Sequence, residues 1–393
     1  MYVHDLNSSW MNHPFFGSSL KVESKEIIKK IIDYGLHEVY IDTAKGLDVA
    51  DAPAEEAVEE DIQLIAENVT DKKNDEIIRP APIGEEILRA RKIKQETVQT
   101  VEKIMDDVKF GKEIEKDRVD HVVDNVIDSV MRNRSALVGL GRLRKVDEYV
   151  FYHSMSVCAL MINFGKYLGF DTQLLKEVAI GAMLHDIGTT KVPSEILTKK
   201  RALSEEEYET IKKHVGYGRE ILEQTEGISN VSILTAYQHH ERMDGSGYPI
   251  GLKGEEITNY GQAIAIVDVY DALTSKRCYK QKIPPTQALK ILFERSGGEF
   301  NRMMVEKFIR CVGIYPVGSL VRLESGLLGI VIDHNEDNPL RPILRIVYNA
   351  KTNDPIVMPY DINLSQPSGK GSEDRVVSYE APEKWNIQPE VYL

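Results

Sequence analysis

The sequence predicts a mainly α protein, with an all-helical central domain between a small N-terminal α/β domain and a small C-terminal β extension. Three observations carry this. Between residues 84 and 315, apolar residues recur at helical spacing in segment after segment, with capping residues at the ends. Ahead of residue 50, one helical stretch lies between short alternating runs. From Pro316 onward the runs are short, β-branched and separated by Gly, Asn, Asp and Pro.

In chain order, residues 1–50 read as the α/β unit: a strand near Met1–Leu6, a helix opening at Ser24 as N-cap and ending at Gly35, and a strand at Val39–Ile41. Its His4 and His13 read as structural, and Trp10, Phe15 and Phe16 as core or interface. Residues 51–83 form an acidic linker, with Asp51, Glu55, Glu56, Glu59, Glu60 and Asp61 ahead of Pro80-Ala81-Pro82. Residues 84–146 are a helical connector. Val98, Val101, Met105 and Val108 line one stripe, and Val119, Val122, Val123, Val126, Ile127 and Val130 another. Both suit packing against the next domain, and the first also suits a homodimer contact. Residues 147–315 are helix after helix: Val157–Leu168, Leu174–Leu184, a helix opened by the capping box Ser204-Glu205-Glu206-Glu207, Val231–His240, Tyr260–Ser275, and one opened by Pro284-Pro285. Residues 316–393 hold strands at Ser319–Leu323, Gly329–Ile332 and Leu344–Tyr348, followed by an irregular tail.

At 393 residues the chain has room for these units, and 42% apolar with 28% charged residues is the composition of a soluble globular protein. A net charge of -13 argues against a general nucleic-acid or anionic-membrane binder, but not against a small anion held at a locally positive site. Cys158, Cys278 and Cys311 lie far apart with no CxxC pair, as reduced thiols of a cytoplasmic protein do. No apolar run reaches membrane-spanning length.

The chemistry concentrates in the central domain. His239-His240-Glu241-Arg242-Met243-Asp244-Gly245-Ser246-Gly247-Tyr248-Pro249 joins two adjacent imidazoles to a glycine turn closed by Pro. Glu241, Arg242 and Asp244 suit bracing that turn. Five of the ten histidines, His153, His185, His214, His239 and His240, fall in this domain with Asp186 and Asp268. Most adjoin apolar helix stretches, and several buried polar groups on neighbouring helices call for a common partner. Imidazoles with carboxylates suit divalent Fe, Mn, Zn or Co and suit Ca or Mg poorly. Two ions sharing a carboxylate would use all seven ligands and point to hydrolysis of a phosphate ester. Asp268 and Asp271 share a helix face at i and i+3. Lys276, Arg277 and Lys280 follow on a turn, where they suit phosphate oxygens or the helix macrodipole.

His185-Asp186-Ile187-Gly188, His214, the stretch from His239 to Pro249, and Asp268-Val269-Tyr270-Asp271-Ala272-Leu273-Thr274-Ser275 together resemble the HD-GYP family, the cyclic di-GMP phosphodiesterases of the HD metal-dependent phosphohydrolase superfamily. The likeness covers residues 147–315, and residues 1–50 resemble the small domain that often precedes HD-GYP modules. The resemblance implies an all-helical HD-type domain in which Asp186 bridges two metals and supports a nucleophilic hydroxide. It implies that His153, His185 and Asp268 complete one site and His214, His239 and His240 the other. The ions would be Fe, with Mn as the alternative. Arg277 and Lys280 match the family's phosphate contacts, and Tyr248 with Gly247 matches the loop at the rim. The implied reaction opens cyclic di-GMP to linear pGpG, and then to GMP if the linear product is cut again.

Two positions depart from the family pattern. Thr189 stands where many members carry Lys, the nearest lysine being Lys191, and Tyr149 stands where three-metal members carry Glu, with Glu148 one residue off. The expectation is therefore a two-metal site. Thr189 keeps open a second reading, a metal-bound but catalytically weak cyclic di-GMP sensor acting through protein partners at the Gly-Tyr-Pro loop or the N-terminal domain. A third is hydrolysis of another cyclic dinucleotide.

Overall fold

The computed structural model describes residues 2–5, 20–22, 24–33, 39–41, 45, 83–141, 149–199, 203–275, 283–335, 338, 340–366 and 374–393. At the N-terminus, β1 (Tyr2–Asp5) pairs antiparallel with β2 (Leu20–Lys21) and β3 (Tyr40–Ile41). Helix α1 (Lys25–Asp33) belongs to the same small unit, whose core is Val3, Val22 and Ile31. Residues 51–82 of the acidic linker, with His13, Trp10, Phe15 and Phe16, lie outside the described residues.

The connector is three helices, α2 (Ile83–Lys109), α3 (Lys116–Arg132) and α4 (Arg134–Gly141). Val98, Val101, Met105 and Val108 of α2 are buried in one core with Val119, Val122, Val123 and Val126 of α3. The first stripe is thus covered by its own chain, and a homodimer would have to use another surface. At about 1.5–3 kcal/mol for each fully buried valine, these contacts hold the connector firmly in the core it shares with the central domain. Within the connector, Glu86, buried near the start of α2, ties that helix to α3 by accepting from Ser129 at 2.8 Å and from Arg132 at 2.9 Å.

The central domain begins with α5 (Tyr149–Tyr167), which is so apolar that Met155, Val157, Cys158, Ala159 and Met161 are fully buried. Helix α6 (Thr172–Leu184), capped by Asp171, packs against α5. A 3₁₀ turn over Ile187–Lys191 follows at once. Then come α7 (Glu205–Lys212), α8 (His214–Gln224), α9 (Asn230–Tyr237) and α10 (Asn259–Thr274). The capping box at Ser204 is formed, with Ser204 accepting from the Glu207 amide and the Glu207 carboxylate from the Ser204 amide. Helix α10 is buried along nearly all of its length against α5, α11 (Pro285–Glu294) and α12 (Arg302–Val312). No helix among the described residues is long and apolar enough to cross a membrane.

The C-terminal region is a five-stranded antiparallel sheet of order β7-β6-β5-β4-β8. It comprises β4 (Leu320–Leu323), β5 (Leu327–Asp333), β6 (Ile343–Asn349), β7 (Asp354–Asn363) and β8 (Val376–Glu380). Its core is continuous with the connector's, and Leu393 and Val317 close over Gly139 of α4. The region expected to be an irregular tail holds two further strands, and only after Glu380 is it irregular, with short 3₁₀ turns at Pro382–Trp385 and Pro389–Val391. Strand β7 was hidden by Pro355 and Pro359 and by an apolar pattern that faces solvent, with Val357 95% exposed, as an edge strand permits.

Candidate metal centre

Where helices end, the backbone no longer dictates side-chain direction, and most of the predicted donors sit at helix ends. His185 follows the last residue of α6, His214 opens α8, and His239 and His240 come just after α9 stops at Tyr237. The helix predicted to run through His240 therefore ends sooner. Only His153 on α5 and Asp268 on α10 project from within helices. All seven side chains, Asp186 included, are buried, with residue exposures of 0–6%.

The two carboxylate oxygens of Asp186 face opposite ways. Oδ2 lies 3.3 Å from His185 Nε2 and 3.8 Å from His153 Nε2, and Oδ1 lies 3.4 Å from His214 Nε2 and 3.8 Å from His239 Nε2. Asp268 Oδ1 joins the first half, 3.0 Å from His153 Nε2 and 3.9 Å from His185 Nε2. His240 joins the second, its ring centroid 4.0 Å from that of His239 and 5.3 Å from that of His214. The donor atoms of His153, His185 and Asp268 converge as one group, and those of His214, His239 and His240 as another. A third group, His185, Asp186 and His239, spans the two.

The hydrogen bonds behind these rings fix which nitrogen faces inward. His185 Nδ1 donates to Ala182 O at 2.9 Å, His214 Nδ1 to Ile211 O at 2.7 Å, and His239 Nδ1 to Ala236 O at 2.6 Å. Each acceptor is a carbonyl three residues back, so the helix end itself sets the tautomer. His153 Nδ1 meets the Asp271 carboxylate at 2.7 Å. In all four rings Nε2 is thereby left as the inward atom. His214 Nε2 and His239 Nε2 lie 3.4 Å apart, and His153 Nε2 and His185 Nε2 3.3 Å apart. Facing lone pairs at that distance repel unless a proton or a cation lies between them.

Electrostatics divides the halves. Burial opposes charge on His185, yet Asp186 and then Asp268 push it up to about 9. Burial also works against His153, and its bonds to Asp268 and Asp271 raise it nonetheless. In the other half, burial reinforced by His185 brings His239 down to about 3. Burial, then His239 and His214, hold His240 far below the ordinary imidazole range. Burial alone would raise Asp186, but His185 and His214 keep it well below the usual carboxylate range, and His153 and His185 do the same for Asp268.

The donor set fits divalent transition metals. Asp186 Oδ1 and both nitrogens of His240 are buried without a hydrogen-bond partner, a costly arrangement unless a cation supplies what the protein does not. Neutral imidazoles and ionised carboxylates are the ligand forms such cations require.

Asp271 was not assigned a role from the sequence, although its i,i+3 spacing from Asp268 marked it. It is fully buried and orients His153, with Ser275 Oγ 3.4 Å from the same oxygen. Asp271→Asn keeps an acceptor but loses the charge. The affinity of the His153 half for metal is expected to fall by about 10- to 100-fold in a chelator-competition titration, and an unchanged affinity would show that a neutral acceptor suffices.

The loop after His240 is built from its own side chains. Glu241 is buried and accepts from the amides of Ile250, Gly251 and Leu252 at 2.9, 3.1 and 2.9 Å. Arg242 donates to the Glu241 carbonyl at 2.9 Å, and Asp244 accepts from Ser246. A Cβ at Gly247 would fall 2.4 Å from Arg242 N and 2.5 Å from His240 O, so only glycine fits. Tyr248, joined to Pro249 by a cis peptide bond, stacks on His240 at 4.5 Å. Its hydroxyl is buried without a partner, and burial pushes it well above the ordinary phenol range. Thr189 donates to the Asp186 carbonyl at 2.7 Å, and Lys191 is exposed at the end of its 3₁₀ turn. Arg277, Lys280 and Glu148 lie outside the described residues.

A family model described as an HD domain matches residues 128–302, and one described as a domain of unknown function (DUF3391) matches residues 1–119. The second extends past residue 50, through the linker and the connector's first helix. A cyclic di-GMP phosphodiesterase of Pseudomonas aeruginosa is 34% identical over 389 residues, covering 99% of this chain and 91% of that protein. A cyclic di-GMP phosphodiesterase of Borreliella burgdorferi is 30% identical over 52% of this chain and 54% of its own. A 3'3'-cGAMP-specific phosphodiesterase of Vibrio cholerae is 36% identical over 42% of this chain and 38% of its own. Fold and donor set define a metal-dependent phosphohydrolase of the HD class. Within that class, the near full-length match shows that the chain belongs to the HD-GYP family.

Proposed function

We propose that the protein hydrolyses cyclic di-GMP to linear pGpG, and to GMP where the product is cut again, at a centre of two divalent metals. The observation that carries this is the two-sided Asp186, one oxygen toward His153 and His185 and the other toward His214 and His239. In this reading His153, His185 and Asp268 hold one ion, His214, His239 and His240 the other, and Asp186 both. Iron is the preferred ion and manganese the alternative. When bound, the ions supply Lewis acidity that offsets phosphate charge and brings a nearby water toward deprotonation at neutral pH. The protein's part is to present inward-facing Nε2 atoms in a fixed tautomer, to keep the donors away from bulk water, and to anchor the substrate. Tyr248 and Gly247 form the mouth, Arg277 and Lys280 take phosphate oxygens, and Lys191 lies on the approach. Signalling partners would dock at the same loop, where Ile250 is 57% exposed. Buried, unpaired Cys158 and Cys311 accord with a reducing cytoplasm.

The cGAMP-specific relative keeps a second substrate in view. Incubating metal-loaded protein with an equimolar mixture of cyclic di-GMP and 3'3'-cGAMP, followed by chromatography, decides between them. Earlier appearance of pGpG supports the proposal; earlier loss of cGAMP assigns the other substrate, and neither product supports the sensor.

Metal binding should release protons. With His185 at about 9 and His153 also raised, the metal-free His153 half carries protons at neutral pH that an entering ion must displace. His239, at about 3, has none to lose. Affinity of the His153 half therefore falls as pH drops below about 9, and acidification empties it first. Calorimetric titration in buffers of different ionisation enthalpy is expected to show release of about one proton or more per chain. A buffer-independent heat would contradict it.

A further inference from the structure

Lys212 is a cation at the mouth of the centre with no part in the proposed metal or substrate contacts. It ends α7 two residues before His214, so its backbone is fixed relative to the site, and its side chain is 27% exposed. The ammonium lies 5.3 Å from the ring centroid of Tyr208 and 5.7 Å from that of Tyr248, within cation–π range of both. Tyr248 in turn stacks on His240 at 4.5 Å and lies 6.5 Å from His214, so the charge stands one side chain away from the second group of donors.

Its protein partner is replaceable. Lys212 Nζ pairs with Glu209 Oε1 at 2.5 Å, an i,i+3 pair whose carboxylate is 63% exposed. Such pairs hold weakly in water and give way to a better anion. The same mouth holds the partnerless Tyr248 hydroxyl, a second group that a polar ligand would satisfy. On the 3₁₀ turn that packs against α8, no side-chain cation stands at position 189, where Thr189 bonds to the Asp186 carbonyl instead.

A cyclic dinucleotide carries two phosphodiesters. If the metals take one, the other needs its charge met within the span of a single ring. We infer that Lys212 is a further substrate-binding residue, whose ammonium exchanges Glu209 for a non-bridging phosphate oxygen of the dinucleotide on the Tyr248 side of the centre. This rests on cyclic di-GMP being the substrate, as proposed for the metal centre.

Steady-state kinetics on the metal-loaded full chain test it, with metal content measured for each variant. Lys212→Gln is expected to raise KM for cyclic di-GMP by about tenfold or more, the loss of one charge-assisted hydrogen bond, with metal content at the wild-type level. Lys212→Arg should recover most of that affinity. Glu209→Gln, which frees the ammonium without touching the ligand, should move KM the other way. An unchanged KM in Lys212→Gln while the wild type turns over overturns the inference and leaves the proposed function standing. So does a loss of metal that accounts for the defect. A metal-loaded wild type that neither binds nor cleaves cyclic di-GMP overturns both.

Discussion

Asp186→Asn is expected to purify with little of either metal and to lose cyclic di-GMP turnover by about a thousandfold or more. The size follows from its position between both histidine groups. Every other donor serves one half; Asp186 alone offers an oxygen to each, at 3.3 Å from His185 and 3.4 Å from His214. An amide would present a nitrogen to one side and an uncharged oxygen to the other, so one half loses a ligand, the other keeps only a weaker neutral one, and the pair loses its shared anion. His239→Ala removes a donor from the second group and is expected to spare the ion in the first. Elemental analysis beside turnover checks the contrast. An Asp186→Asn protein with full metal content would show that the two halves fill independently of it.

Gly188→Ala is expected to cost about 3 kcal/mol or more and to strip metal from the His214 half. A Cβ there would stand 1.9 Å from the His214 carbonyl oxygen and 2.4 Å from Gly218 N. Both are backbone atoms, so no side chain can swing away; the 3₁₀ turn must lift off α8. That movement separates Asp186, two residues upstream, from His214, at the start of α8. Thermal melts with and without metal test the two effects together. A variant that melts with the wild type and binds two ions would mean that the helices can part without disturbing the centre.

Much of this was legible in the sequence because metal chemistry uses few residue types and burial punishes them when unpartnered. His153, His185, Asp186, His214, His239, His240 and Asp268 were all named as one constellation, and the structure brings all seven together. The helical connector and the capping box at Ser204 followed from periodicity and local hydrogen bonding, which the sequence encodes directly. The less legible features depend on contacts between distant segments. Asp271 looked like half of an i,i+3 pair until α5 placed His153 against it at 2.7 Å. Lys212, beside Lys213 before His214, carries no mark in the sequence that sets it apart; only the fold lays it over Tyr248. The stripe on α2 reads as core, with a dimer contact as the alternative, since periodicity shows that a face is apolar and not what covers it. Strand β7 was missed because its alternation is broken by prolines that only an edge position tolerates.

The most direct test of a two-metal phosphodiesterase is to count metals and products on the same sample. Protein stripped by chelation under anaerobic conditions is titrated with ferrous or manganous ion, and pGpG is followed by chromatography at each step. Turnover is expected to be absent from the stripped protein and to rise to a plateau at two ions per chain. Full-rate cleavage in the stripped protein, or no pGpG from protein holding two ions, would contradict it.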